Sequence, residues 1–170
     1  DAAEGLVDLD LQIAYEAQRA KCATAVLFNK WDISALDLDM ATARIKAKVQ
    51  TKPRWLTVSA LSGRGIDRIL PLARELHGQY SDRIPTAELN RWLENLRSRR
   101  PPAAKGGKSI KTFYMVQYGS RPPRFKVMVN SRALVNKPFA YYLENRLRED
   151  YGFWGIPLVI DFEGKEERYS

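Results

Sequence analysis

Apolar positions recur at helical and strand spacing along most of the chain, and their rhythm changes once. Leu9, Ile13, Ala17 and Ala20 sit at helical spacing over residues 8–21, and T-A-V-L-F-N (24–29) follows as a short apolar run of the buried-strand kind. A second helix is predicted over 38–49, where Ala41, Ile45 and Val49 repeat every four residues. Pro53 closes it ahead of the strand-like W-L-T-V-S-A (55–60). After S-G-R-G (62–65), Ile66, Ile69, Leu70, Ala73 and Leu76 mark a third helix, with Pro71 placed awkwardly near its start. Helices alternating with short apolar strands imply a parallel sheet of the α/β type.

The rhythm shifts after His77-Gly78. Pro85-Thr86 marks a helix entry with Thr86 as N-cap, and Leu89, Trp92, Leu93 and Leu96 form one apolar stripe. T-F-Y-M-V-Q-Y (112–118) and R-F-K-V-M-V-N (124–130), joined by G-S-R-P-P, predict an antiparallel hairpin. Phe125, Val127 and Val129 share its core face; Arg124, Lys126 and Met128 share the other, which is expected to be open and basic. A helix over 138–151 buries Phe139, Leu143 and Leu147 and ends at Gly152, and I-P-L-V-I-D-F (156–162) supplies a last strand. The order is α-β-β-α-β, a small α+β module. Residues 98–109 resemble a linker, and no internal repeat is visible.

Composition narrows the classes. With 170 residues, 45% hydrophobic and 28% charged, the chain supports one or two compact units. Its apolar runs fall far short of the ~20 residues that span a bilayer, and no signal peptide opens it, so a soluble cytoplasmic protein without membrane contact is expected. A single cysteine, Cys22, excludes an internal disulfide, and a single histidine, His77, excludes a Cys/His zinc cluster. Cys22 is expected as a packed helix-end thiol and His77 as a helix-surface residue; no residue takes a catalytic or metal-binding role. Asp rather than Met at position 1 leads to the expectation of an excerpt or processed fragment. The net charge of +8 is localised: residues 83–137 hold 13 Lys or Arg against 2 Glu, a balance of +11, which leaves −3 for the remainder. Such a field favours a polyanion, and nucleic acid is the commonest one in a cytoplasm.

The chemistry-bearing motif is Asn29-Lys30-Trp31-Asp32, directly after the first strand. N-K-x-D distinguishes guanine from adenine. Guanine presents N1–H and its N2 amine side by side, and one carboxylate, Asp32, accepts both in charge-assisted bonds. Adenine has no such donor pair and would leave the carboxylate desolvated and unmatched. Asn29 would bond the purine edge and tie neighbouring loops together, and the Lys30 stem would lie along the base face. Ligands of open α/β sheets sit beyond the carboxyl ends of the strands, which suits this position. The next strand ends in Ser59-Ala60-Leu61 followed by Ser62-Gly63, where the Ala60 N–H can donate to guanine O6.

Two other motifs mislead. G-G-K-S (106–109) mimics the end of a phosphate loop, but G-x-x-x-x-G-K-[ST] needs glycine at position 102, which is Pro102, and Ser109 leads into a strand rather than a helix. K-G-G-K (105–108) is better read as a flexible, basic connector. D-F-E-G (161–164) mimics the magnesium-side D-x-x-G of GTPases; the two together imitate a permuted motif order that Pro102 argues against.

D-A-A-E-G-L at the start, N-K-W-D, S-A-L-S-G, P-T-A-E-L-N, G-S-R-P-P-R-F, Y-L-E-N-R-L-R-E and Y-G-F-W-G-I-P together resemble the Der (EngA) family of bacterial GTPases, over nearly the whole length. Members carry two tandem G domains and a C-terminal KH-like domain and act in assembly of the large ribosomal subunit. The resemblance implies an α/β half of a Ras-like P-loop GTPase domain over residues 1–82, the second half of the second G domain. A small α+β KH-like domain (α-β-β-α-β) would follow over 83–170. It assigns Asn29, Lys30 and Asp32 to guanine specificity and Ser59, Ala60 and Leu61 to the supporting loop, so GTP or GDP is bound through its base. The family's phosphate loop, switch regions and D-x-x-G would precede Asp1; Mg²⁺ is therefore expected only in a full-length protein, and this chain alone is expected not to hydrolyse GTP.

The RNA expectation departs from the KH pattern. The only G-x-x-G, Gly152-Phe153-Trp154-Gly155, lies between helix and strand, and its aromatic middle predicts a helix cap with core packing rather than a nucleotide clamp. Contact with ribosomal RNA would then rest on Arg97, Arg99, Arg100, Lys105, Lys108, Arg121, Arg124 and Lys126, with Tyr114 or Tyr118 as stacking surfaces. The large ribosomal subunit and the upstream G domain are the implied partners. The alternative is an RNA-binding or protein-docking module whose α/β half is a scaffold that binds no nucleotide.

Overall fold

The computed structural model describes residues 1–99 and 109–165. The chain divides into two units, Asp1–Tyr80 with Phe153–Pro157, and Ser81–Gly152 with Leu158–Ser170.

In the first unit, helix α1 (Asp8–Arg19) leads to strand β1 (Ala25–Phe28), helix α2 (Leu38–Lys48), strand β2 (Arg54–Thr57), a 3-10 turn (Ile66–Arg68) and helix α3 (Ile69–Ser81). β1 and β2 pair in parallel, Ala25 opposite Arg54 through Phe28 opposite Thr57. α2 starts where the Asp37 carboxylate accepts the Met40 N–H at 2.9 Å, satisfying one of the free donors of its first turn. Its predicted stripe is the buried one: Ala41, Ile45 and Val49 join Phe28 and Ala2 in one core cluster. For α1 the predicted stripe faces outward, with Leu9 62% and Ile13 61% exposed, and Leu11 and Ala14 turn towards the core instead. Pro71 costs α3 nothing, because it is the third residue of a helix whose first N–H groups have no intrahelical partner. α3 also runs on through Gly78, beyond the expected break. Cys22 is exposed rather than packed.

The second unit is helix α4 (Thr86–Arg97), strands β3 (Thr112–Gly119) and β4 (Arg124–Val129), a 3-10 turn (Arg132–Leu134), helix α5 (Lys137–Tyr151) and strand β5 (Val159–Gly164). The expected α-β-β-α-β order is present. The sheet order is β3-β4-β5, antiparallel then parallel. Leu89, Leu93 and Leu96 of α4 and Phe139, Leu143 and Leu147 of α5 are buried, as are Phe125, Val127 and Val129 of the central strand. Pro85, not Thr86, is the N-cap of α4; the Pro85 carbonyl accepts the Glu88 and Leu89 N–H groups. Asn90 docks this helix on β3, its amide donating to Met115 O at 3.0 Å while its Oδ1 accepts the Met115 N–H at 3.0 Å. Buried Gln117 is likewise satisfied, accepting the Ile84 N–H at 2.9 Å and donating to Asp82 O at 3.0 Å.

β5 begins later than the apolar run 156–162 suggested. Ile156 and Pro157 are buried without strand pairing, and Pro157 has no N–H to give a ladder. D-F-E-G therefore lies inside a strand rather than after one. Gly152 caps α5, Phe153 is buried, and Gly155 is tied into the first unit, its N–H donating to Thr51 O at 2.8 Å and its carbonyl accepting the Thr24 N–H at 2.9 Å. The G-x-x-G stretch is thus a cap with core packing.

Candidate functional site

β1 and β2 run in parallel, so the residues after Phe28 and after Thr57 emerge at the same end of the pair. Backbone bonds extend the pairing past both strands: the Val58 N–H donates to Phe28 O at 2.9 Å and the Trp31 N–H to Val58 O at 3.1 Å. On that base the Asn29 side chain reaches across, its Oδ1 accepting the Ala60 N–H at 3.0 Å. The two turns singled out in the sequence are one corner. A left-handed Lys30, at φ 60°, bends the chain between Asn29 and Asp32. Asp32 is exposed, and its carboxylate pairs with no described residue.

Ser59 is fully buried and closes its own turn: its Oγ accepts the Ser62 N–H at 3.1 Å, and its carbonyl accepts the Gly63 N–H at 2.9 Å. Leu61 is 90% exposed, its side chain in solvent rather than packed. Residues 1–6 brace the corner from the other side. The Ala2 N–H donates to Asn29 O at 2.8 Å, and the Ser34 hydroxyl donates to Ala2 O at 2.9 Å. That bracing was not read from periodicity, since a backbone bond to an alanine leaves no mark in a hydropathy pattern.

Two details differ from expectation. The Ala60 N–H, expected to meet a purine O6, is held by Asn29, so it reaches a ligand only by sharing its hydrogen or after Asn29 rotates. The Lys30 ammonium pairs with Asp1, which draws its stem towards the N-terminus rather than leaving it to lie along a base.

The described basic candidates differ in their surroundings. Arg97 is engaged at the end of α4, its Nη2 donating to Phe113 O at 2.9 Å, and Arg121 Nε donates to Ser81 Oγ at 3.3 Å. Arg99 and Arg124 are exposed. Lys126 pairs with Glu163 at 3.3 Å, and the Tyr118 hydroxyl donates to Asp161 across the same sheet face; Tyr114 is exposed. The face expected to be basic is of mixed sign, because β5 brings two carboxylates beside Lys126. Arg100, Lys105 and Lys108, with the connector they belong to, lie outside the described residues. Among the described residues no three His, Cys, Asp or Glu side chains are grouped to hold a metal, and no helix is long and apolar enough to cross a membrane.

Residues 83–163 match a family described as the KH-domain-like domain of EngA bacterial GTPase enzymes, C-terminal. Across 99% of its length the chain is 38% identical to the GTPase Der of Chloroflexus aggregans and 37% identical to that of a Ruegeria species. The chain is thus similar, along nearly its whole length, to part of the Der (EngA) GTPases. It spans 39% and 35% of the length of those two Der proteins, and 40% of the Desulforudis audaxviator GTPase Der, with which it is 34% identical. The KH-like match takes in α4, β3, β4 and α5 and nearly all of β5. The Asn29 corner lies outside that match but within the stretch aligned to the Der relatives.

Proposed function

We propose that this chain is the guanine-reading and RNA-facing part of a GTP-binding protein that acts in assembly of the large ribosomal subunit in the cytoplasm. Residues 1–82 are then the second half of a Ras-like G domain and residues 83–170 its KH-like companion. One observation carries the reading: an exposed Asp32 carboxylate, without a partner among the described residues, stands on a turn bonded, through Asn29, to the Ala60 amide. A carboxylate so held can accept the N1–H and N2 amine of guanine together, whereas adenine leaves it unmatched. Asn29 fixes the distance between the two turns, and Ser59 keeps the second one closed. The matching relatives are named GTPase Der.

The 170 residues contain no G-x-x-x-x-G-K-[ST] loop, so GTP or GDP is held through its base alone. Positioning of the phosphates and Mg²⁺ belongs to residues of a full-length protein, and the isolated chain turns over no GTP. Arg99, Arg121 and Arg124 give the KH-like unit its means of contacting ribosomal RNA. A second reading, docking of that unit on an upstream G domain, is favoured by the Lys126–Glu163 pair, since a surface of both signs suits a protein better than a polyanion.

Titration with fluorescent GDP and ADP tests the guanine corner. GDP is expected to bind in preference, and Asp32→Ala to abolish the preference. Equal responses to the two nucleotides sink the reading and leave the first unit as a scaffold.

A further inference from the structure

The opposite end of β2 from the guanine corner carries a separate feature. An open cavity of about 450 Å³ is lined by Lys46, Lys52, Pro53, Arg54, Trp55 and Trp154. All six belong to the first unit; Trp154 enters it from the Phe153–Pro157 segment. Two indoles and three cations thus line one cavity. Arg54 is paired with Glu75, while Lys46 forms no ion pair with a described residue.

We propose that this cavity binds single-stranded nucleic acid, one base stacking on the indoles while neighbouring phosphates meet Lys46 and Lys52. A cationic ligand is repelled by the lining, and a neutral apolar ligand makes no use of it. An aromatic ring carrying negative charge uses both, and a nucleotide is that combination. Every base has a stacking face, so binding here is tolerant of sequence.

The platform is formed in advance. Trp55, 38% exposed, is set edge-on against Phe28 with ring centroids 6.4 Å apart. The backbone beside Trp154 is held on both sides: Gly155 is bonded to Thr51 and Thr24, and Phe153 is buried. Lys52 is held in the left-handed region at φ 47°, a conformation rare for a long side chain, in the turn that leads from α2 into β2. Little ordering is then needed on binding. A strand fits better than a free nucleotide: the lysines stand on two different segments, each contact is open to solvent, and only linked phosphates add up through counterion release. The site is independent of the guanine corner, and each stands if the other fails.

The test uses the whole 170-residue chain and an oligouridylate about ten nucleotides long, within the span a stacking groove takes up, which contains no guanine. Anisotropy of the labelled oligonucleotide is expected to show binding that weakens at least tenfold in Lys46→Glu/Lys52→Glu, while GDP selectivity stays intact. An oligomer bearing 5-iodouridine is expected to crosslink, on irradiation, to peptides holding Trp55 or Trp154. Uridine monophosphate is expected to bind at least a hundredfold more weakly. Crosslinks confined to the Ser81–Gly152 stretch overturn the proposal, as does wild-type affinity in the charge-reversed variant. Mononucleotide binding equal to the oligomer's overturns the strand in favour of a small ligand. Preferential binding of an aromatic, glutamate-rich peptide overturns nucleic acid in favour of a protein partner.

Discussion

Arg148 is the largest side chain removed wholly from solvent, 0% exposed in α5 and paired with Glu144 at 2.8 Å. Burial holds its pKa below the ordinary guanidinium range, and the Glu144 hydrogen bond and charge pull the other way. Truncation removes both volume and the partner of a half-sheltered carboxylate. Arg148→Ala is expected to cost about 3–5 kcal/mol in urea unfolding, and Arg148→Met, which keeps most of the volume, less than half of that. Nothing in Y-L-E-N-R-L-R-E marks this arginine as the buried one; in the sequence it is one charge among several, and only packing distinguishes it. Three residues on, Tyr151 lies against Trp92, with burial first and then Glu88 and Asp150 raising its phenol to about 12. An unfolded tyrosine titrates near ~10. The folded chain therefore holds this proton more tightly. Its contribution to stability is complete below about pH 10 and is lost as pH rises through about 12. Urea midpoints measured from about pH 9 to about pH 12 are expected to fall more steeply in the wild type than in Tyr151→Phe.

At the level of elements, type was more legible than facing. Four-residue spacing identified α1, yet Leu9 and Ile13 repeat as regularly as Leu11 and Ala14, and periodicity alone cannot say which of two apolar stripes the sheet covers. In α2 Met40, Ala43 and Ala47 form a second, exposed set at helical spacing, and the predicted set Ala41, Ile45 and Val49 is the buried one. The run Ile156–Leu158 shows the same limit in another form: apolar composition announces burial, but Pro157 denies it a ladder. The segment is instead held by a backbone approach. A Cβ at Gly155 would lie 2.1 Å from Thr24 O, and its φ is +80°. Gly63 has a similar φ of +78° with nothing within 4 Å of such a Cβ. Gly63→Ala is accordingly expected to cost only the backbone term of about 1–2 kcal/mol. Gly155→Ala adds a collision with main chain to that term and is expected to cost about 3 kcal/mol or more. Paired urea titrations read the difference directly; equal losses would show that the close approach at Thr24 is not maintained.

For the whole molecule, the chain path matters as much as either unit. The meeting of the two turns at Asn29 and Ala60, which we propose reads guanine, was legible because the residues are contiguous in two short motifs at strand ends. The cavity of Lys46, Trp55 and Trp154 was not, since Trp154 reaches it only after the chain has built most of the second unit. The first unit is therefore incomplete if taken as residues 1–82. The amide of Thr24, at the entry to β1, has its acceptor on Gly155, and β5, which follows a few residues later, completes the sheet beside β4. A chain ending at Gly152 is expected to lose structure in both units at once. Hydrogen exchange measures this residue by residue: the Thr24 amide is expected to exchange at least tenfold faster in the shortened chain, together with amides of β4. Protection of Thr24 equal to that of the full chain would show that the 153–157 segment contributes nothing to the first unit. Faster exchange at β4 alone would mean that the first unit stands without that segment and only the second needs β5. The joint loss is favoured because one stretch of chain supplies a hydrogen-bond acceptor to one unit and an edge strand to the other.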